Sequence, residues 1–118
     1  MDEKVTKFVN EFYGVLDSDW SRPVEKYYLE NAILIWNGVA LTSRDTISTF
    51  LKASPPMRHK IQVIQVNANA SSIGVSVMGM LSVADSPYKT CTDFLQVIPN
   101  DSELGFIISE QSCTFQEL

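Results

Sequence analysis

The spacing of apolar residues along the chain changes from a helical period to a strand-like one. Near the start, apolar residues recur at intervals of three and four. This predicts one face of a helix of about three turns, formed by Val5, Phe8, Val9, Phe12, Tyr13 and Leu16. A shorter second helix is predicted to begin near Pro23 and to stop near Asn31, with Val24, Tyr27 and Tyr28 on its buried side.

A tight hairpin is predicted at Asn37-Gly38, between the apolar runs Ile33–Trp36 and Val39–Leu41. A two-residue type I′ turn requires positive φ at both central positions, which Asn and Gly tolerate best. Trp36 is the largest apolar side chain near this turn. It is interpreted either as a plug at one end of the core or as the wall of a ligand pocket.

A third helix is predicted to begin at Thr42 or Ser43, where Thr42 and Asp45 have the spacing of a capping box, and to end at Ser54-Pro55-Pro56. Four strand-like runs follow, at residues 58–69, 72–84, 90–98 and 104–115. Their short connections favour antiparallel neighbours. We therefore expect one α+β domain over residues 1–118, with three helices and a hairpin packed on a strongly curved antiparallel sheet.

The strands carry more apolar surface than three helices can cover. In the second run, Met78 and Met80 are predicted on one face, and apolar residues such as Val77 and Leu81 on the opposite face. In the last run, strict alternation places Ile108 on one face with Glu110, Ser112 and Thr114. A broad apolar face in a protein of this size usually marks an interaction surface. The alternative is that bulges curl the sheet until both of its faces are buried.

Charge, hydropathy and cysteine spacing argue against a nucleic-acid-binding, a membrane-spanning or a metal-binding protein. The 118 residues include 9 Lys+Arg and 14 Asp+Glu, for a formal net charge of −5, which disfavours direct binding of nucleic acid. No apolar stretch reaches the roughly 18 residues of a membrane span, and no signal segment is recognised. Cys91 and Cys113 lack a metal-ligand spacing. We expect an intracellular protein with reduced thiols and without a cofactor or metal.

The residues considered for catalysis are His59, Asp93, Tyr13, Tyr27 and Tyr28. His59 stands between two cations, and this setting favours a solvated residue at the start of a strand over a general base. Asp93 is interpreted either as a proton-shuttling carboxylate or as a charge that faces a partner. No nucleophile elbow, phosphate loop or carboxylate pair is recognised, so the sequence favours a protein that is not an enzyme.

Three strings resemble the nuclear transport factor 2 family, and within it most closely the small export-related subgroup. They are Phe8-Val9-Asn10-Glu11-Phe12-Tyr13, Leu34-Ile35-Trp36-Asn37-Gly38 and Cys113-Thr114-Phe115-Gln116-Glu117. The stop at Ser54-Pro55-Pro56 also matches. The resemblance implies a cone-like fold and a small subunit without catalysis, whose sheet packs on the same-fold domain of a larger mRNA export receptor. It further implies shuttling between nucleus and cytoplasm through the nuclear pore, by contacts of the complex with Phe-Gly repeats.

Two positions depart from the family pattern. Family members that import the GTPase Ran have an acidic residue where Asn37 stands, which argues against Ran import. Animal export subunits have a partner-binding arginine where Thr114 stands.

The leading hypothesis from the sequence is a heterodimer subunit, with partner-binding residues Met78, Met80, Asp93, Ile108, Glu110, Ser112 and Thr114. Asp93 would act as a polar latch. One alternative is a homodimeric nuclear import factor of the same fold. The other is a small-molecule isomerase or dehydratase with Asp93 or a tyrosine at the bottom of the cone.

Overall fold

The computed structural model describes residues 2–18, 24–68 and 72–115. It has two α-helices, α1 (Asp2–Ser18) and α2 (Arg44–Ala53), and a 3₁₀ helix over Val24–Tyr27. The strands are β1 (Tyr28–Trp36), β2 (Val39–Thr42), β3 (Met57–Ala68), β4 (Ile73–Val83), β5 (Lys89–Pro99) and β6 (Phe106–Phe115). Pro23, residues 69–71 where the first two strand-like runs are predicted to connect, and Gln116 and Glu117 lie outside the described residues.

The six strands form one sheet in the order β2-β1-β6-β5-β4-β3. The meander from β3 to β6 is antiparallel throughout, as the short connections predict. The pairing of β1 with β6 is parallel, so the expectation of a wholly antiparallel sheet is wrong at this pair. The α+β class is confirmed.

The second half of the predicted second helix is a strand. Among the described residues of this segment, helical backbone covers Val24–Tyr27, and β1 already begins at Tyr28, which pairs with Ile108. Two buried side chains, Ala32 and Leu34, alternate with outward-facing neighbours from there on. Pairing with β6 therefore overrides the local helical spacing.

The third predicted helix is α2, and its start differs in detail. Thr42 is the last residue of β2 and pairs with Ile33, so the predicted capping box is wrong. Ser43 is the N-cap instead, with its Oγ accepting a hydrogen bond of 3.3 Å from the backbone N–H of Thr46. The predicted end is confirmed, since α2 stops before Ser54.

The hairpin at Asn37-Gly38 is confirmed. Both residues have positive φ, 47° and 92°, and Trp36 pairs directly with Val39 across the turn. The Trp36 ring lies edge-on to Phe50 of α2 and Phe115 of β6, with ring centroids 5.5 and 5.3 Å away. Trp36 therefore closes one end of the core.

A bulge in β6 changes which face its side chains occupy. Val97 pairs with Ile108 whereas Gln96 pairs with Glu110, which leaves Ser109 as an extra residue. Phe106 and Ile108 consequently point to the same side as Gln111 and Cys113, and all four are buried. Strict alternation through this strand is therefore wrong.

The core lies between the helices and the concave side of the sheet. Phe12 of α1 is central to it, with its ring 5.6 Å from the rings of both Tyr27 and Tyr28. No helix in the described part of the chain is long and apolar enough to cross a membrane.

Candidate functional site

The side of the sheet that faces away from the helices, here called the outer face, carries exposed apolar side chains on four strands. Ile33 of β1 is 36 % exposed, Val63 of β3 49 %, Met78 of β4 49 % and Phe94 of β5 41 %. Val63 and Met78 are direct partners across two strands, and Phe94 is diagonal to Met78. Between these residues the face carries mainly hydroxyl and amide side chains.

Five of the predicted partner-binding residues lie on the outer face. Met78, Glu110 and Thr114 are exposed, and Met80 and Ser112 are partly buried. The register brings them together, since Thr92 lies between Met78 and Thr114 and Phe94 pairs with Ser112.

The other two predicted residues are inside the molecule. Ile108 is fully buried, because the bulge at Ser109 turns it toward the helices. Asp93 is 3 % exposed and faces the same interior. The expected placement of Ile108 on the face with Glu110 is wrong, and the buried Asp93 does not form a latch on the outer surface.

Asp93 is the centre of a buried polar cluster. Its Oδ2 accepts hydrogen bonds from the hydroxyl of Tyr13 on α1 and from Nε2 of Gln111 on β6, the latter at 3.3 Å. Tyr28 of β1 in turn donates to Oε1 of Gln111 at 2.5 Å. Oδ1 of Asp93 accepts from the thiol of Cys91 at 3.3 Å. A carboxylate that accepts from several donors is well suited to a buried position.

Burial and the negative charge of Asp93 keep both tyrosines protonated. Burial is the larger cause in each case, and the charge of Asp93 adds to it, so the pKa values of Tyr13 and Tyr28 lie well above the ordinary value. Both hydroxyls therefore act as hydrogen-bond donors to this cluster near neutral pH.

The two cysteines meet beside this carboxylate. Their sulfur atoms are 3.7 Å apart, and both are buried thiols. The hydrogen bond with Cys91, together with burial and the charge of Asp93, raises the pKa of the Cys113 thiol far above its usual range. The sequence did not indicate this proximity, because Cys91 and Cys113 are on different strands without a recognised spacing.

His59 is not the solvated residue that its two cationic neighbours predict. Its side chain is only 7 % exposed, and its Nδ1 lies 2.6 Å from Oδ1 of Asp17 at the end of α1. The other oxygen of Asp17 accepts from the backbone N–H of His59 at 2.6 Å. The ring also lies 4.9 Å from that of Tyr13. Asp17 thus fixes the end of α1 to β3.

A cavity of about 10 Å³ lies among these groups, lined partly by Tyr13, His59, Cys91 and Asp93. This volume holds about one water molecule. The titratable groups that enzymatic chemistry would need are therefore close together, but the space between them does not accommodate an organic substrate.

Comparisons with known proteins agree with the fold. Residues 4–108 match the family model described as the nuclear transport factor 2 (NTF2) domain. The chain is similar to the bovine NTF2-related export protein 1, with 31 % identity over 58 residues. That match spans 49 % of this chain and 41 % of the relative.

Solved structures with the same fold have diverse sequences. Nuclear transport factor 2 from Cryptosporidium parvum superposes with a TM-score of 0.86 at 14 % identity, covering 98 % of this chain and 94 % of that one. The yeast complex of the deubiquitinase Ubp3 with its cofactor Bre5 gives 0.82 at 17 % identity, covering 100 % and 98 %. A scytalone dehydratase homologue from Novosphingobium aromaticivorans gives 0.79 at 10 % identity, covering 98 % and 83 %. At these identities the likeness concerns the fold alone, whereas the match of the family model covers most of the chain. The chain belongs to the nuclear transport factor 2 family.

Proposed function

We propose that this chain is a non-enzymatic small subunit that pairs, through the outer face, with the same-fold domain of a larger mRNA export receptor. Its partial similarity to an NTF2-related export protein supports a role in nuclear export. In this proposal the subunit stabilises the receptor, and the complex shuttles between nucleus and cytoplasm through contacts with Phe-Gly repeats of the pore.

The observation that carries the proposal is the set of exposed apolar side chains on the outer face. Met78, Phe94 and Val63 are each more than two fifths exposed and adjacent in the sheet register. The helices cover the opposite side of this sheet. A contiguous apolar patch rimmed by polar groups is typical of a protein interface.

The chemistry of the outer face fits a partner sheet better than a nucleic acid. Small hydroxyl side chains such as Ser112 and Thr114 allow close approach of a second sheet, and methionine adapts its shape to a partner. Glu110 is exposed on this face. A partner with a cation opposite Glu110 would complement its charge, whereas the chain's formal net charge of −5 disfavours binding of phosphate groups.

An enzymatic role is less well supported by the geometry. Tyr13, Asp93 and His59 are close together, but the cavity beside them has room for about one water molecule. Ligand pockets for small organic molecules are typically about 300–1,000 Å³. A dehydratase or isomerase of this fold would need a far larger interior space.

The proposal is tested with the double variant Met78→Glu/Phe94→Glu, co-expressed with the NTF2-like domain of the mRNA export receptor from the same cell. Two carboxylates placed in the interface would be desolvated without partners. We expect affinity to fall by roughly 100-fold or more, measured by co-purification and titration calorimetry.

The matched control is Val39→Glu, since Val39 is 62 % exposed on β2 and lies outside the patch. The control should bind as the wild type does, and all chains should keep the same far-ultraviolet circular dichroism. Unchanged pairing of the double variant would contradict the proposal. If the lone wild-type chain sediments as a stable dimer that the double variant disrupts, the heterodimer hypothesis is replaced by that of a homodimeric import factor.

A further inference from the structure

Three buried metal-ligating side chains meet where β5 and β6 pair, on the interior side of the sheet. Their candidate ligand atoms, the sulfurs of Cys91 and Cys113 and an oxygen of Asp93, all lie within 4.8 Å of one another. The register explains this arrangement. Asp93 and Cys113 are direct partners, and Cys91 precedes Asp93 by two residues and so shares its face.

Two of the three distances among these atoms match those between ligands around one small cation. Two thiolates about 2.3 Å from a tetrahedral zinc ion are about 3.8 Å apart, and the two sulfurs here are 3.7 Å apart. A carboxylate oxygen and a thiolate on the same ion are separated by roughly 3.5 Å by the same geometry. The corresponding distance from Cys91 Sγ to Asp93 Oδ1 is 3.3 Å.

Asp93 also accepts hydrogen bonds of the kind that orient carboxylates in metal sites. Tyr13 and Gln111 both donate to Oδ2, which leaves Oδ1 turned toward Cys91. Tyr28 holds Gln111 in this orientation. Such outer partners fix the direction of a ligand and strengthen metal binding.

A fourth ligand position is available as well. The cavity of about 10 Å³ is lined by both Cys91 and Asp93, and it has room for about one water molecule. A tetrahedral ion held by the three side chains would complete its coordination with that water.

We propose that Cys91, Asp93 and Cys113 bind one thiophilic divalent cation of the zinc class. The hydrated ion keeps one water and exchanges its other water ligands for the two sulfurs and the Asp93 carboxylate oxygen, and the two thiol protons pass to solvent. The divalent cation then neutralises two of the three negative charges of the two thiolates and the carboxylate. The ion joins β5 to β6 and, through Tyr13, to α1. Because the site is on the interior side, it is independent of pairing through the outer face.

The test uses the whole reduced chain, freed of metal and kept without oxygen, and titrates it with Cd²⁺. We expect thiolate-to-cadmium charge-transfer absorption that saturates at one ion per chain. Zn²⁺ should compete for the site and raise the thermal unfolding midpoint. Mg²⁺ should do neither, since it prefers an all-oxygen shell.

The variants Cys91→Ser and Cys113→Ser should each abolish the charge-transfer band, and Thr114→Ser on the outer face should leave it unchanged. A serine variant that fails to fold would not decide the matter, so Tyr13→Phe is tested as well. It keeps the ring but loses the bond to Asp93, and should weaken binding by roughly 10- to 100-fold. Absence of the band in the wild type, equal binding by Cys113→Ser, or unchanged affinity of Tyr13→Phe would overturn the proposal.

Discussion

At the scale of single residues, predictions from the sequence pattern fail where a side chain's position depends on a bulge or on a residue that is distant in sequence. Alternation along β4 correctly places Met78 on the side opposite Val75 and Val77. In β6 the same rule fails, because the extra residue Ser109 inverts every position beyond it. His59 shows the other kind of failure, since its partner Asp17 is 42 residues away and nothing near His59 in the sequence indicates it.

Gly79 is required by the close approach of β3 and β4. A Cβ atom added there would lie 2.1 Å from the backbone oxygen of Lys60, next to the bulge between Ile61 and Val63. We expect Gly79→Ala to lower the free energy of unfolding by about 2 kcal/mol or more, because the backbone of β3 must shift. Urea unfolding followed by fluorescence measures this change.

The matched control is Gly14→Ala on the exposed side of α1, where an added Cβ meets nothing within 4 Å. Alanine is the better helix former, so this variant should gain about 0.5–1 kcal/mol. Equal stability of the two variants would contradict the role assigned to Gly79.

At the scale of elements, the turn residues predict the hairpin but not what holds it against the sheet. Asn37-Gly38 specifies the turn through its positive φ angles. The same Asn37 also joins the hairpin to β6. Its backbone N–H donates to the carbonyl of Cys113 at 2.7 Å, and its Oδ1 accepts from the N–H of Phe115 at 3.2 Å. A parallel pairing between strands so distant in sequence has no local sequence signal.

Replacement of Asn37 tests these two roles together. Asn37→Ala removes the acceptor for Phe115 and places an alanine at a φ of 47°. A lost hydrogen bond costs about 1 kcal/mol, and the left-handed backbone adds roughly 1 kcal/mol. We therefore expect a total loss of about 2 kcal/mol in urea unfolding. Asn37→Asp keeps an acceptor and tolerates this backbone, so it should lose less than half as much. A loss of the same size in both variants would show that the amide nitrogen, not the oxygen, matters.

At the scale of the whole molecule, the sequence predicts the α+β class and the meander from β3 to β6. It does not predict that β1 pairs with β6 and so joins the hairpin to this meander. Short turns make β3 to β6 antiparallel neighbours, and a helical face predicts α1. The pairing of β1 with β6 depends on burial of Leu34 and Ile108 in a common core. The buried cluster around Asp93 likewise takes its members from α1, β1, β5 and β6. Its assembly is a property of the complete fold.

This layout predicts an order of local stability across the sheet. β5 has a hydrogen-bonded strand on each side, and its Leu95 and Val97 are fully buried. β2 is a four-residue edge strand whose residues are exposed or half-exposed. Segments with few buried contacts open at low free energy, whereas core strands exchange only on global unfolding. Amide hydrogen exchange should therefore be slowest in β5 and fastest, among the strands, in β2.

The variant Leu95→Ala, which loses about 2–5 kcal/mol, should speed exchange in β5 while leaving that in β2 nearly unchanged. If β2 and β5 exchange at one common rate in the wild type, the hairpin unfolds together with the core and the proposed order is wrong.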